Sequence, residues 1–144
     1  METVFAPEMA VLHPDSTTKP FWDACRERQL VYPECESCAS VRMPPAAVCP
    51  KCGRSPLVWK PVSGLGTVYS FTVARHSFHV MVDDFLPYVI AVIALDDAPV
   101  RLISNVLGIS PEDMYVGLPV SVAWDEAKPG VVIPRFQPRS EGDQ

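Results

Sequence analysis

The sequence predicts a mainly β chain: an N-terminal helix, a rubredoxin-like ribbon built on paired cysteines, and a five-stranded barrel of OB-fold type with one short helix. Three observations lead there. Cys35, Cys38, Cys49 and Cys52 stand in two close pairs. From Leu57 onward, apolar residues come in short alternating or β-branched stretches, at the period of strands. The 16 prolines among 144 residues break up long helices and sheets, because proline fixes φ and removes a donor. A closed barrel leaves so few strands without an exposed edge. A small β-sandwich is the alternative architecture.

The elements follow in order. Residues 1–15 read as irregular. A helix begins near Ser16 to Thr18, where a hydroxyl can accept from first-turn amides. Pro20 suits the first turn, since its missing N–H would have no intrahelical partner there. Phe21, Trp22, Cys25 and Arg28 recur at spacings of three and four and so share one face. The helix ends before Leu30 to Tyr32, a short extended piece. The expected divisions are 1–32 for the helical segment, 33–56 for the ribbon, 57–136 for the barrel and 137–144 for a flexible tail.

Leu57 to Val62 is the first strand, and Gly64-Leu65-Gly66 is a turn. Thr67 to Arg75 places Tyr69, Phe71 and Val73 on one face by period two. Tyr88 to Leu95 is almost wholly apolar, which predicts a central strand buried on both faces. Asp96 to Pro99 turns the chain, and Val100 to Leu107 returns antiparallel. Ser110-Pro111-Glu112-Asp113 reads as a helix start: cap, proline, then acids in the first turn. Gly117 and Pro119 keep that helix short. Val120 to Glu126 and Val131 to Phe136 are the last strands.

The cysteine pairs predict chemistry. Two residues between Cys35 and Cys38, and again between Cys49 and Cys52, let each pair grip one ion, and two such knuckles complete a tetrahedron. Four protein ligands leave no place for water or substrate, so the expected role is structural and the expected ion zinc. Two disulfides or a redox iron centre are the other readings of the spacing. Gly53 suits a left-handed turn after the second knuckle; Ala39 holds the matching place in the first. Cys25 stands apart on the apolar helix face and reads as packing.

A formal net charge of −5 argues against a protein that works by neutralising phosphates. No apolar run approaches the ~20 residues that span a bilayer. The N-terminus carries Glu2 and Glu8 and lacks a signal pattern, so a soluble cytoplasmic protein is expected. His76 and His79, near Asp83 and Asp84, offer an acid–base pair but read as a polar interstrand loop; His13 has no constellation. Phe78, Met81, Phe85 and Leu86 make that loop apolar for solvent, which suggests packing onto the ribbon, a ligand or a partner. No phosphate loop, ordered Ser-His-Asp set or open-metal motif is present.

Several segments together resemble a known family: Lys19-Pro-Phe-Trp-Asp-Ala-Cys25, Leu30-Val-Tyr-Pro-Glu-Cys35, Met43-Pro-Pro-Ala46, Val48-Cys-Pro-Lys-Cys-Gly53, Gly66-Thr-Val-Tyr-Ser-Phe-Thr72 and Pro134-Arg-Phe136. They are similar to the zinc-ribbon and OB-fold proteins once catalogued as domain of unknown function 35, over residues 19–136. Ala39 departs from the glycine usual in that family's first knuckle. The resemblance implies an accessory subunit beside a thiolase-like enzyme: a thiolase, an acyltransferase, or a lipid-transfer-type aldolase of steroid side-chain degradation. Others of the family pair with MaoC-like enoyl-CoA hydratases. It implies that the reactive groups lie on the partner and that this chain helps assemble a hetero-oligomer and bind the CoA ester. On that basis Phe21, Trp22, Phe78 and Phe85 are expected at the partner interface. Arg42, Lys51 and Arg75 are assigned to CoA phosphates from charge alone. Two other classes stay open. One is a single-stranded nucleic-acid binder stacking bases on Tyr69, Phe71 and Trp124. The other is an independent hydrolase using His76 and Asp83.

Overall fold

The computed structural model describes residues 4–143; the outermost ends of the predicted N-terminal segment and tail lie outside the described residues. The elements are α1 (Lys19–Arg26), β1 (Val31–Cys35), β2 (Leu57–Pro61), β3 (Leu65–Ala74), β4 (Tyr88–Leu95), β5 (Arg101–Asn105), β6 (Pro119–Lys128) and β7 (Val131–Pro138). Short 3-10 segments lie at Pro7–Met9, Val80–Phe85 and Pro111–Asp113. No helix among the described residues is long and apolar enough to cross a membrane.

β1 and β2 form a separate two-stranded sheet. The other strands run in the order β5-β4-β3-β6-β7, every hydrogen-bonded pair antiparallel. The open side is closed by a parallel bridge between Val106 and Phe136, where Leu107 N–H donates to the Phe136 carbonyl at 2.8 Å. This is OB-fold connectivity, with the Pro111–Asp113 turn between the third and fourth barrel strands. Phe136, Ile93, Val120 and Val68 fill the barrel, and Phe21 and Cys25 of α1 join the same core.

Several elements differ from expectation. Leu57–Pro61 pairs with β1 and so belongs to the ribbon, because alternation shows that a strand forms but not which neighbour it takes. A bulge between Val68 and Ser70 turns Tyr69 out to solvent, while Phe71 and Val73 pack inward. β4 alternates buried with half-buried residues rather than burying both faces. The Pro111–Asp113 segment is one turn, and Ser110 makes no cap, its hydroxyl donating to Glu112 instead. The tail is anchored: β7 runs to Pro138, Arg139 donates to the Gly66 carbonyl and to Asp96, and Asp143 accepts from Ser121 and Ser140.

α1 is shorter than its apolar spacing suggested. Arg28 leaves it at φ 56 and turns to Glu126, off the buried face. The cap is Asp15 rather than a hydroxyl of residues 16–18. Its Oδ1 accepts from the amides of Thr17 and Thr18, and Thr18 Oγ1 accepts in return from the Asp15 amide at 3.1 Å, a reciprocal capping box. The Thr17 hydroxyl and then these amides hold the Asp15 carboxyl down to about 2, from an ordinary 3.8. A carboxyl depressed by folding stabilises above its unfolded pKa and loses that contribution as pH falls. The stability of wild type is therefore expected to fall more than that of Asp15→Ala as pH drops from 3.8 toward about 2. Thermal melts across that window check it, and parallel profiles for the two proteins would refute it.

One buried polar cluster sits on the β6–β7 ladder. Asp125 is 0% exposed and accepts from Arg135 Nε at 3.2 Å. Arg135 also donates to Asn105 Oδ1 at 2.8 Å, and Asn105 Nδ2 donates to the Val89 carbonyl at 2.7 Å. The cluster ties β4, β5, β6 and β7 where the barrel closes.

Candidate metal centre and docking face

The β1–β2 pairing sets Cys35 opposite Leu57, so the chain entering the first knuckle lies beside the chain leaving the second. Each knuckle closes with the same turn: Ala39 N–H donates to the Cys35 carbonyl and Gly53 N–H to the Cys49 carbonyl, both at 2.9 Å. These residues have φ of 62° and 75°. The left-handed conformation expected of Ala39 is present, at a cost of about 1–2 kcal/mol that Gly53 avoids.

The four sulfurs lie within 4.8 Å of one another. Cys35 and Cys52 are 3.5 Å apart, Cys38 and Cys49 3.6 Å. Zinc bonded to sulfur at ~2.3 Å in a tetrahedron requires edges of ~3.8 Å, close to this spacing. A disulfide needs ~2.05 Å, and all of these thiols are free. The donor set therefore fits a closed, structural zinc site and rules out the two-disulfide reading. The Ser40 hydroxyl lies 3.1 Å from Cys38 Sγ and 3.2 Å from Cys49 Sγ. That hydroxyl first, then the amides of Cys52 and Lys51, push the Cys49 thiol down; Ser40 lowers Cys38 as well, while Cys52, against the Arg54 amide, is pushed up by burial and the neighbouring cysteines. Thiolate is the form that binds metal.

Arg42 is not available to phosphate. It is 4% exposed, and its guanidinium donates to the carbonyls of Arg54, Ser55 and Pro56 at 3.4, 3.0 and 3.5 Å. Charge counting from sequence could not see that this cation is consumed by backbone. Lys51 is exposed at the second knuckle. Arg75 is exposed but pairs with Glu112 at 3.2 Å.

The expected interface residues divide. Phe21 is buried in the core and so is not free to meet a partner; Phe85 is half-buried, one edge of its ring packed against Phe5 at 5.3 Å. Trp22 is half-buried and lines a 490 Å³ cavity with Met43, Arg101, Ile103 and Ile133, between α1, the ribbon and the barrel. Phe78 is 85% exposed. With Met9 and Ile103 it rims a 300 Å³ hollow floored by Tyr88 and Ile90, and Val80 stands exposed two residues along. Sequence reading missed Ile103 and Val80. The available signal for Ile103 was its outward phase beside the buried Leu102 of β5.

The other candidate chemistries fail on geometry. Burial pushes the Cys25 thiol up to about 12, which suits packing and not attack. Among the described residues neither His76 nor His79 bonds a carboxylate; His79 Nδ1 accepts from the Met81 amide. Arg101 lies over the Tyr69 ring at 3.8 Å, and Phe71 and Trp124 pack against the core, so these rings form no stacking platform for bases.

Residues 22–58 match the family described as "ChsH2, rubredoxin-like zinc ribbon domain", and residues 59–125 the one described as "ChsH2, C-terminal OB-fold domain". The chain is 38% identical over 119 residues to a probable enoyl-CoA hydratase alpha subunit of Thermomonospora curvata, spanning 82% of this chain but 36% of that one. It is 34% identical to a DUF35 domain-containing scaffold protein of Methanocaldococcus jannaschii, over 74% of this chain and 76% of that one. It thus spans about a third of the hydratase subunit and most of the scaffold protein. Among solved structures, that titled "Ltp2-ChsH2(DUF35) aldolase" superposes with a TM-score of 0.80 at 34% identity, covering 89% of this chain and 98% of that one. A Sulfolobus solfataricus protein of the DUF35 family shares the fold at 14% identity, with a TM-score of 0.63 over 93% of each chain. Ribbon, barrel and both sets of relatives agree: this chain belongs to the DUF35 family of zinc-ribbon and OB-fold proteins.

Proposed function

We propose that this chain is a non-catalytic accessory subunit of a thiolase-superfamily acyl-CoA enzyme, of the aldolase kind, working in the cytoplasm. Reactive groups lie on the partner, and this chain assembles the complex and helps hold the CoA ester. The observation that carries the reading is the close likeness, over nearly all of both chains, to the DUF35 chain of an Ltp2-ChsH2 aldolase. The closed metal site supports it, since such a site offers no open position for chemistry. The exposed Phe78 and Ile103, which rim one apolar hollow with Met9, support it as a docking face, because an exposed contiguous apolar patch marks an interaction site. Of the cations assigned to the CoA phosphates, Lys51 is exposed and Arg75 is exposed but paired with Glu112, so these two carry that part of the reading.

A MaoC-like hydratase partner is the second reading, favoured by the T. curvata relative and by a Mycobacterium tuberculosis 3-oxo-4,17-pregnadiene-20-carboxyl-CoA hydratase alpha subunit, 29% identical over 117 residues. Co-purification from the native host followed by mass identification separates them. A stoichiometric thiolase-superfamily chain is the expected result, and Phe78→Asp is expected to weaken its capture at least tenfold. Recovery of a hydratase alone, or of no acyl-CoA enzyme, would overturn the leading reading.

A further inference from the structure

The short segment joining the two knuckles holds two polar side chains that reach the site differently, Ser40 at the sulfurs and Arg42 at the backbone beyond the second knuckle. Ser40 places one hydroxyl between sulfurs of different knuckles, 3.1 Å from Cys38 and 3.2 Å from Cys49. A hydroxyl has one proton to give, and a thiolate accepts it. Two residues on, Arg42 grips the carbonyls of residues 54–56. Those carbonyls are already the anchors of both knuckles: Arg54 O accepts from the Cys49 amide at 2.8 Å, and Pro56 O from the Glu36 amide at 3.1 Å. The Arg42 amide in turn donates to the Pro33 carbonyl at 3.2 Å, fixing the segment to β1.

We infer that Ser40 and Arg42 are positioning residues of the zinc site: Ser40 offers its single proton to the adjoining thiolates of the two knuckles, and Arg42 locks the backbone on which both knuckles hang. The inference rests on the zinc reading of the four cysteines. The chemistry favours it. A tetrathiolate zinc centre carries two net negative charges, and Cys38 and Cys52 are exposed. A hydroxyl donor beside Cys38 and Cys49, and a buried guanidinium behind the second knuckle, both relieve that charge. Groups that orient and hydrogen-bond metal ligands typically govern affinity by about 10–100-fold.

The test uses the full chain loaded with zinc, its metal content measured first. Less than one zinc per wild-type chain would refute the zinc reading and, with it, the Ser40 and Arg42 assignments, whereas a full zinc load with unaltered variants would refute the assignments alone. Zinc transfer to the chromophoric chelator 4-(2-pyridylazo)resorcinol is then timed. Ser40→Ala is expected to release zinc about tenfold faster, with Ser40→Thr restoring the wild-type rate because it keeps the hydroxyl. In cobalt-loaded protein, Ser40→Ala is expected to move the thiolate-to-cobalt charge-transfer band to lower energy, a readout that mere loosening of the fold would not shift. Arg42→Met is expected to speed release as well, while Val68→Ala, a cavity in the barrel core, leaves it unchanged. Release within twofold of wild type and an unmoved band in Ser40→Ala would overturn the Ser40 assignment. Unchanged release in Arg42→Met, or equal acceleration by Val68→Ala, would overturn that of Arg42.

Discussion

Cys49→Ala is expected to unfold the ribbon while the barrel strands stay protected. The two-stranded β1–β2 sheet is too small to stand in water alone. Structural zinc in comparable small modules supplies an apparent ~10–16 kcal/mol at neutral pH, more than the whole stability of many domains. Cys49 is the buried ligand of the second knuckle, so its loss opens the tetrahedron from inside. Hydrogen exchange read by mass spectrometry checks this: protection should vanish over Val31–Cys35 and Leu57–Pro61 and persist over Tyr88–Leu95. Prolonged chelation of wild type should reproduce the pattern. Ribbon protection that survives metal removal would mean that hydrophobic contacts with α1, not the ion, hold it.

The second large effect lies in the barrel. Arg135→Met leaves Asp125 as a buried carboxylate with no cation, since Asp125 is 0% exposed and one of its oxygens already lacks a partner. Breaking one side of a buried pair costs about 3–5 kcal/mol, because the surviving charge cannot be solvated. Replacing both, as Asp125→Leu with Arg135→Met, should restore much of the loss, since an apolar pair of similar volume removes the desolvation cost along with the attraction. Urea unfolding of the two variants decides it. If the double variant is no more stable than the single, the network matters through Asn105, which Arg135 also holds, rather than through the ion pair.

Much of this was legible in the sequence because it depends on local spacing. The two Cys-x-x-Cys units specify a tetrahedral site wherever they sit, and the sulfurs converge within 4.8 Å. The strand segments were visible for the same reason, as period two is a property of the backbone pleat. Ala39 after the first knuckle announced its own left-handed strain, and the structure has it at φ 62.

What the tertiary structure alone decided was which groups are spent on the protein's own interior. Sequence placed Arg42 among the free cations, Phe21 and Phe85 among the free aromatics and Leu57–Pro61 in the barrel. Folding gave Arg42 to three carbonyls, Phe21 to the core, one edge of Phe85 to Phe5 and the strand to β1. The bulge that turns Tyr69 out beneath Arg101 belongs in the same group. Each of these partners lies far along the chain or depends on sheet register, and no local pattern encodes a partner. The metal centre needed only spacing, and so it was readable; the free surface is whatever long-range packing leaves over, and only the folded chain defines it.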